Sequence, residues 1–241
     1  MSTTEGLRSV ADRTVSAVDL VTAEIRRAVL TGVLPPGEPF SIRELTRQLG
    51  VSHIPIREAL RRLEGQGLIV LSQARSAAVA PLSVEDLRAI YRLRLRIEPD
   101  LAGRSAALVT RGWRDDLARA LEQSRDHRPD RAWPGHYDFH ERLVAPAASP
   151  WDLRLLHTLW TAAERYTLLV FDPIAVDDDE RARRWARHRR LLERAEAGDQ
   201  LGLEAELAAH LESNRAEMLR RLQLPGAVGD ISGPDDSVDR R

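Results

Sequence analysis

A chain of 241 residues with 43% hydrophobic content is long enough to bury a core, as one large domain or two smaller ones. Its 36 basic and 37 acidic residues leave it near neutral, so any nucleic-acid role must come from a local patch and not from bulk charge. Every basic residue is Arg, and the absence of Cys excludes disulfides, thiolate ligands and thiol nucleophiles.

In chain order, residues 1–15 are polar and aperiodic and lack the apolar run of a signal peptide. They are expected to fray, as is the Pro-, Gly-, Asp- and Ser-containing tail at 225–241. No stretch approaches the roughly 20 apolar residues of a membrane span, so a soluble cytoplasmic protein with no membrane partner is expected. Val18, Val21, Ile25 and Val29 recur at helical spacing and stop at Gly32, which predicts a first helix with a glycine cap. After the Leu34-Pro35-Pro36-Gly37 turn, Ser41 and Glu44 have the spacing of a capping box, opening a short second helix that ends at Gly50. Ser52 is a good N-cap for a third helix, with Ile56, Leu60 and Leu63 on one apolar face and Gly65 and Gly67 at its end. The period then changes. Leu68–Leu71 and Ala77–Ala80 are short apolar runs joined by polar residues, which predicts a small β-hairpin. From Ser83 to Leu224 the pattern is helical, punctuated by Pro99, Gly112, Pro129, Pro134, Pro150, Pro173 and Gly198, and implies six or seven helices.

The resulting expectation is a mainly α protein: a winged helix-turn-helix at 16–81, with a small hairpin wing, followed by an antiparallel helical bundle at 83–222. Residues 16–80 carry eight Arg against six acids, whereas the rest of the chain is net acidic. The basic end is therefore the one with the helix-turn-helix outline. The run Val51-Ser52-His53-Ile54-Pro55-Ile56-Arg57-Glu58-Ala59-Leu60-Arg61-Arg62-Leu63-Glu64, then Gly67-Leu68-Ile69, resembles the signature of GntR-family regulators. The upstream turn from Gly32 to Gly37 is similar to the same family's inter-helix turn. The resemblance implies DNA contacts by Arg43, Ser52, His53, Arg57 and the wing residues Gln73 and Arg75, with Glu58 and Glu64 in structural pairs. The chain departs from the family in having His53 where Arg is usual and Ser76 where Gly is usual.

His136 and His140 are four residues apart, on one face of a helix. His188 and His210 lie ten residues before and twelve after Gly198. If Gly198 marks the turn of an antiparallel pair, both imidazoles sit about 15–18 Å along their helices, at similar heights. Packing the first helix against this pair would converge four nitrogens in a bundle core, where helical proteins build metal sites. The pattern also resembles the FCD domain of the FadR subfamily over residues 83–222, including Arg94 four residues before Glu98. Metal-binding members supply an Asp and three His, and His136 stands where the Asp is usual, with Asp138 expected to face elsewhere. The set His136, His140, His188 and His210 is therefore the candidate ligand set for a divalent transition metal, Zn²⁺ or Ni²⁺. His53, His127 and His157 are expected not to ligate. Trp113, Trp133, Trp151, Trp160 and Trp185 are expected to pack the bundle core.

The function this implies is a homodimeric transcription regulator that binds an inverted-repeat, double-stranded operator. Its small-molecule effector is expected to be an organic or sugar acid, with Arg94 as a candidate effector contact. A metal-dependent enzyme is the competing class, but His136 and His140 lack the Glu of a zincin helix, and no phosphate loop or nucleophile elbow is present. A DNA-binding protein with a purely structural helical domain is the third possibility.

Overall fold

The computed structural model describes residues 16–72, 76–124, 129–170 and 178–223, apart from the side chains of 129–134, 167–170, 178, 180 and 181. The expectations placed on 1–15, 225–241, Gln73, Arg75, His127, Pro173 and the Trp133 side chain lie outside this set.

Helix α1 (Ala17–Leu30) starts where the Ser16 hydroxyl accepts from the Asp19 amide, and it buries Val21, Ile25, Ala28 and Val29. Strand β1 (Pro39–Ser41) precedes α2 (Ile42–Leu49) and α3 (His53–Gly65), and β2 (Ile69–Leu71) and β3 (Ser76–Val79) form the wing. Ser41 caps α2 by accepting from the Glu44 amide at 3.4 Å. The Glu44 carboxylate turns to Arg47 and Gln48, so only the Ser41 side of the capping box is seen. Ser52 occupies the N-cap of α3 but makes no side-chain cap bond. What fixes α3 is its buried face, where Ile56, Ala59, Leu60 and Leu63 join Val21, Ile25, Leu45, Leu68 and Val79 in one cluster.

The sheet has three strands, in the order β1-β3-β2, all antiparallel. The hairpin of β2 and β3 matches the sequence expectation, whereas β1 was not expected. Three residues that include Pro39 carry no alternation of their own, and β1 exists only because β3 offers it an open edge.

Among the described residues six helices follow: α4 (Val84–Ala107), α5 (Arg111–Gln123), α6 (Pro129–Val144), α7 (Pro150–Val170), α8 (Asp178–Glu196) and α9 (Gln200–Leu222). Ser83 caps α4 through the Asp86 amide. Pro150 opens α7 as a first-turn proline should, but Pro99, Gly112 and Pro134 fall inside helices and end none. Pro99 removes one backbone donor, yet α4 continues because Tyr91, Leu101, Ala102 and Ala106 on either side of it are buried in the bundle core. Helices α4 and α9 approach so closely at Gly103 that a Cβ there would meet the Gln200 carbonyl oxygen at 3.0 Å. Gly198 adopts φ +67° between α8 and α9, and Asp199 then caps α9 through the Gly202 amide. Trp160 is buried, and Trp113 and Trp185 pack against the core. Trp151 does not belong to that core. It sits in the first turn of α7, 74% exposed, with the Arg154 guanidinium over its ring at 4.7 Å.

Candidate functional site

The hairpin at Gly198 brings His188 on α8 and His210 on α9 to a ring-centroid separation of 4.6 Å. Helix α6 adds His140, at 5.5 Å from His188 and 5.3 Å from His210, and His136, at 4.8 Å from His188. The structure thus gathers the four imidazoles that the spacing brought together. One nitrogen from each of His136, His140 and His188 lies within 4.8 Å of the others. Asp138 is turned to Arg142 at 2.8 Å, and His157 pairs with Glu141 on the surface, so neither joins the cluster.

The hydrogen bonds of the cluster fix which ring nitrogens carry protons. His188 donates from Nδ1 to the Arg184 carbonyl at 2.9 Å, which leaves the Nε2 lone pair free of a proton. His210 Nε2 accepts from the Asn214 Nδ2 amide at 3.1 Å, which places the proton of the neutral ring on Nδ1 in this arrangement. His188 Nε2, His210 Nδ1 and His140 Nε2 are buried without a hydrogen-bond partner among the described residues. Burial, followed by the charges of neighbouring imidazoles, holds His136 and His210 well below the ordinary histidine range and His188 at about 3. Burial also lowers His140, against the opposing effect of Glu98. A cluster of imidazoles that leaves His140 Nε2 and His188 Nε2 buried and without a hydrogen-bond partner among the described residues fits a divalent transition ion, since an unmet buried polar atom otherwise costs about 1–3 kcal/mol.

Behind the cluster lies a carboxylate that sequence reasoning did not assign to the site. Glu98 on α4 accepts from Arg94 Nε at 2.5 Å and Nη2 at 3.3 Å, and from Trp160 Nε1 at 2.9 Å. Its second oxygen stands 3.6 Å from His140 Nδ1. Burial alone would raise the Glu98 carboxyl, but the charge of Arg94, the His140 imidazole beside it and the hydrogen bonds from Arg94 bring it to about 2. Arg94 is buried with Glu98, so its guanidinium is already engaged there. The i,i+4 spacing of Arg94 and Glu98 was the available signal; the burial of the pair and the reach of Trp160 were not legible.

At the other end of the molecule, seven Arg side chains are described between residues 16 and 72. Five are paired: Arg26 with Glu164, Arg27 with Glu24, Arg47 with Glu44, Arg61 with Glu58 and Arg62 with Asp19. Arg43 and Arg57 have no ion pair among the described residues and are exposed. Both belong to the set expected to touch DNA. His53 is exposed at the start of α3, with Nδ1 3.2 Å from Thr46 Oγ1. Glu64 accepts from the Leu71 amide at 3.3 Å, bracing β2 against α3.

Helix α7 joins the two ends. One turn beyond Trp160, Glu164 receives Arg26 of α1 at 2.5 Å, and Arg26 also donates to Gln66, the C-cap of α3, at 3.2 Å. Arg165 donates to the Ala80 carbonyl at 2.8 Å, and the Tyr166 hydroxyl accepts from the Ser83 amide at 3.1 Å.

Comparison with known proteins identifies both ends. Residues 18–79 match the gntR family of bacterial regulatory proteins, and residues 89–213, more than half of the chain, match the FCD domain. The chain is a GntR-family transcription regulator with an FCD domain. An HTH-type transcriptional regulator of Agrobacterium vitis is 33% identical over 160 residues, covering 61% of this chain and 91% of its own. The HTH-type transcriptional repressor RspR of Escherichia coli is 27% identical over 157 residues, covering 63% of this chain and 68% of its own. In fold, the regulator is similar to E. coli McbR/YncC, with a TM-score of 0.73 and 21% identity over 87% of this chain and 100% of that one. The families and relatives of this GntR regulator are transcription regulators and not enzymes. Among its described residues, no helix is long and apolar enough to cross a membrane.

Proposed function

We propose that this regulator binds an inverted-repeat operator as a cytoplasmic homodimer and releases or engages it in response to a small organic or sugar acid sensed at a metal-loaded His cluster. Residues 16–81 form the DNA-reading unit and 83–222 the sensing unit in this reading. The observation that carries it is the convergence of four imidazoles on three helices, with His140 Nε2 and His188 Nε2 buried and without a hydrogen-bond partner among the described residues. His136, His140, His188 and His210 would hold the ion, with Zn²⁺ or Ni²⁺ favoured over Mg²⁺ or Ca²⁺ because the donors are nitrogen and not oxygen. A bound ion with four neutral ligands would supply an undiminished double charge for holding an acidic group. Arg94, neutralised in part by Glu98, adds to that field without being a free anchor. On the DNA side, α3 lies in the major groove. Arg43, Ser52, His53 and Arg57 face the duplex there, with Gln73 and Arg75 assigned to the wing contact. Arg43 and Arg57 can turn to phosphates or bases without first breaking an ion pair to a described residue.

Elemental analysis of protein purified without an affinity tag or chelator tests the metal. About one equivalent of Zn or Ni per chain, lost in His188→Ala, is expected. Less than about a tenth of an equivalent, unchanged after reconstitution, would remove the metal from the function. A thermal-shift screen of the loaded protein over organic acids then identifies the effector class.

A further inference from the structure

We infer that His53 reads the exocyclic amino group of an adenine in an A·T pair through an Nε2 lone pair whose state is set by Thr46. The inference rests on the proposed placement of α3 in the major groove. It starts from a hydroxyl with one proton. Thr46 Oγ1 on α2 lies 2.8 Å from the Ile42 carbonyl oxygen, which can only accept, so the hydroxyl proton is committed there. The same oxygen lies 3.2 Å from His53 Nδ1. With its proton spent, Thr46 can only accept from the ring, so Nδ1 carries the imidazole proton. In a neutral imidazole that leaves Nε2 as a bare acceptor. Nothing else among the described residues bonds to the exposed ring.

An acceptor on the protein requires a donor on the base edge. In the major groove only the adenine N6 and cytosine N4 amino groups donate, whereas guanine N7 and O6 and thymine O4 would oppose the Nε2 lone pair. Ile54 decides between the two amino groups. It follows His53 directly and is 74% exposed, a large apolar side chain left in water on the face that carries the unpaired Arg57. A thymine C5-methyl group is the apolar feature of the groove, and an A·T pair presents that methyl and the N6 amino group on one edge. A C·G pair offers the amino group alone.

The test uses the full-length protein and a pool of randomised duplex DNA, selected with wild type, His53→Ala and Thr46→Val at matched salt. Wild type is expected to select an A·T pair at one position of each half-site, and His53→Ala to lose that preference. In a synthetic operator, replacing that adenine by purine, which lacks the amino group, should weaken wild-type binding about five- to tenfold per half-site and leave His53→Ala indifferent. Replacing the paired thymine by deoxyuridine removes only the methyl and should weaken wild type but not Ile54→Ala. Thr46→Val should reduce the purine discrimination, and Thr46→Ser, which restores the hydroxyl, should recover it. Equal wild-type binding to the adenine and purine operators, or a selected G at the position His53 controls, would overturn the inference while leaving operator binding intact. Failure to select any sequence would overturn the DNA-reading function itself, and the inference with it.

Discussion

Replacing Glu98 with glutamine removes one negative charge from a fully buried position while keeping the volume of the side chain. The Trp160 N–H retains an acceptor, so the loss falls on the ion pair with Arg94, which is itself buried. Breaking a buried pair by removing one partner costs about 3–5 kcal/mol, because the remaining charge is left without compensation. The titration of Glu98 gives a second route to the same number. Burial raises its carboxyl, Arg94 reverses the effect, and the result is about 2 against an ordinary 4.5. That difference is equivalent to about 3 kcal/mol at neutral pH, fully present above the unfolded value and lost as pH falls from there towards about 2. The expectation for Glu98→Gln is therefore a loss of about 3–4 kcal/mol in urea unfolding of the metal-free protein, from a total of about 5–15. In a thermal scan this corresponds to a fall of roughly 6–15 °C. Arg94→Met combined with Glu98→Leu removes both charges and should recover most of the loss, giving a coupling energy of about 2 kcal/mol or more. A Glu98→Gln variant within about 1 kcal/mol of wild type, or a double variant as unstable as the two single losses combined, would refute the buried-network reasoning.

Acid should destabilise the metal-free protein early, because imidazoles that stay neutral in the fold take up protons once unfolded. Between pH 7.5 and 5.5 His136, His188 and His210 each contribute a loss of about 1.4 kcal/mol, and His140 acts in the same direction, so urea midpoints should fall steeply over this range, and a flat profile would contradict the burial of the cluster. Arg57→Ala and Arg43→Ala should each weaken operator binding about 5- to 150-fold, reduce the salt slope by about one for a phosphate contact, and leave the melting temperature unchanged. Sedimentation should give a dimer that protects both halves of an inverted repeat, and a monomer protecting one unrepeated site would contradict this. Arg26→Ala should leave metal binding intact and narrow the affinity difference between effector-bound and effector-free protein, measured by fluorescence anisotropy on the operator.

What could be read from the sequence was local or carried by a single hinge. Ser83 announces α4, the buried face of α3 follows from Ile56, Leu60 and Leu63, and the His quartet follows once Gly198 is taken as the turn. What escaped depended on partners distant in the chain. Strand β1 has no pattern of its own and is defined by β3, some forty residues later. Pro99 reads as a stop, yet the burial of α4 on both sides of it outweighs one missing backbone donor. Trp151 reads as core because it is large and aromatic, but in the first turn of α7 its ring lies under Arg154 instead. Trp160 and Glu98 are 62 residues apart, and no spacing rule joins an indole on one helix to a carboxylate on another.

The proposed coupling of the cluster to the operator would run along α7, which touches both ends of the molecule. Trp160 and Glu164 are one turn apart on the same face, so a displacement of Glu98 that pulls the indole carries Glu164 with it. Glu164 is not a relaxed partner: burial raises its carboxyl, and Arg26 only partly opposes this, so the pair is sensitive to small changes in separation. Arg26 in turn holds Gln66 at the end of α3, the helix proposed to read the groove. Arg165 and Tyr166, on the next residues of α7, hold Ala80 and Ser83 on either side of Leu82, so the segment leaving β3 is gripped at the same time. A shift at Glu98 therefore reaches α1, the end of α3 and the exit from the wing through one helix. In a dimer whose two α3 helices must span half-sites about 34 Å apart, a small rotation at this junction changes the spacing of both reading heads at once. If the proposed effector moves Glu98, the contact between α7 and α1, and not the groove surface itself, is where its occupancy would be converted into operator affinity.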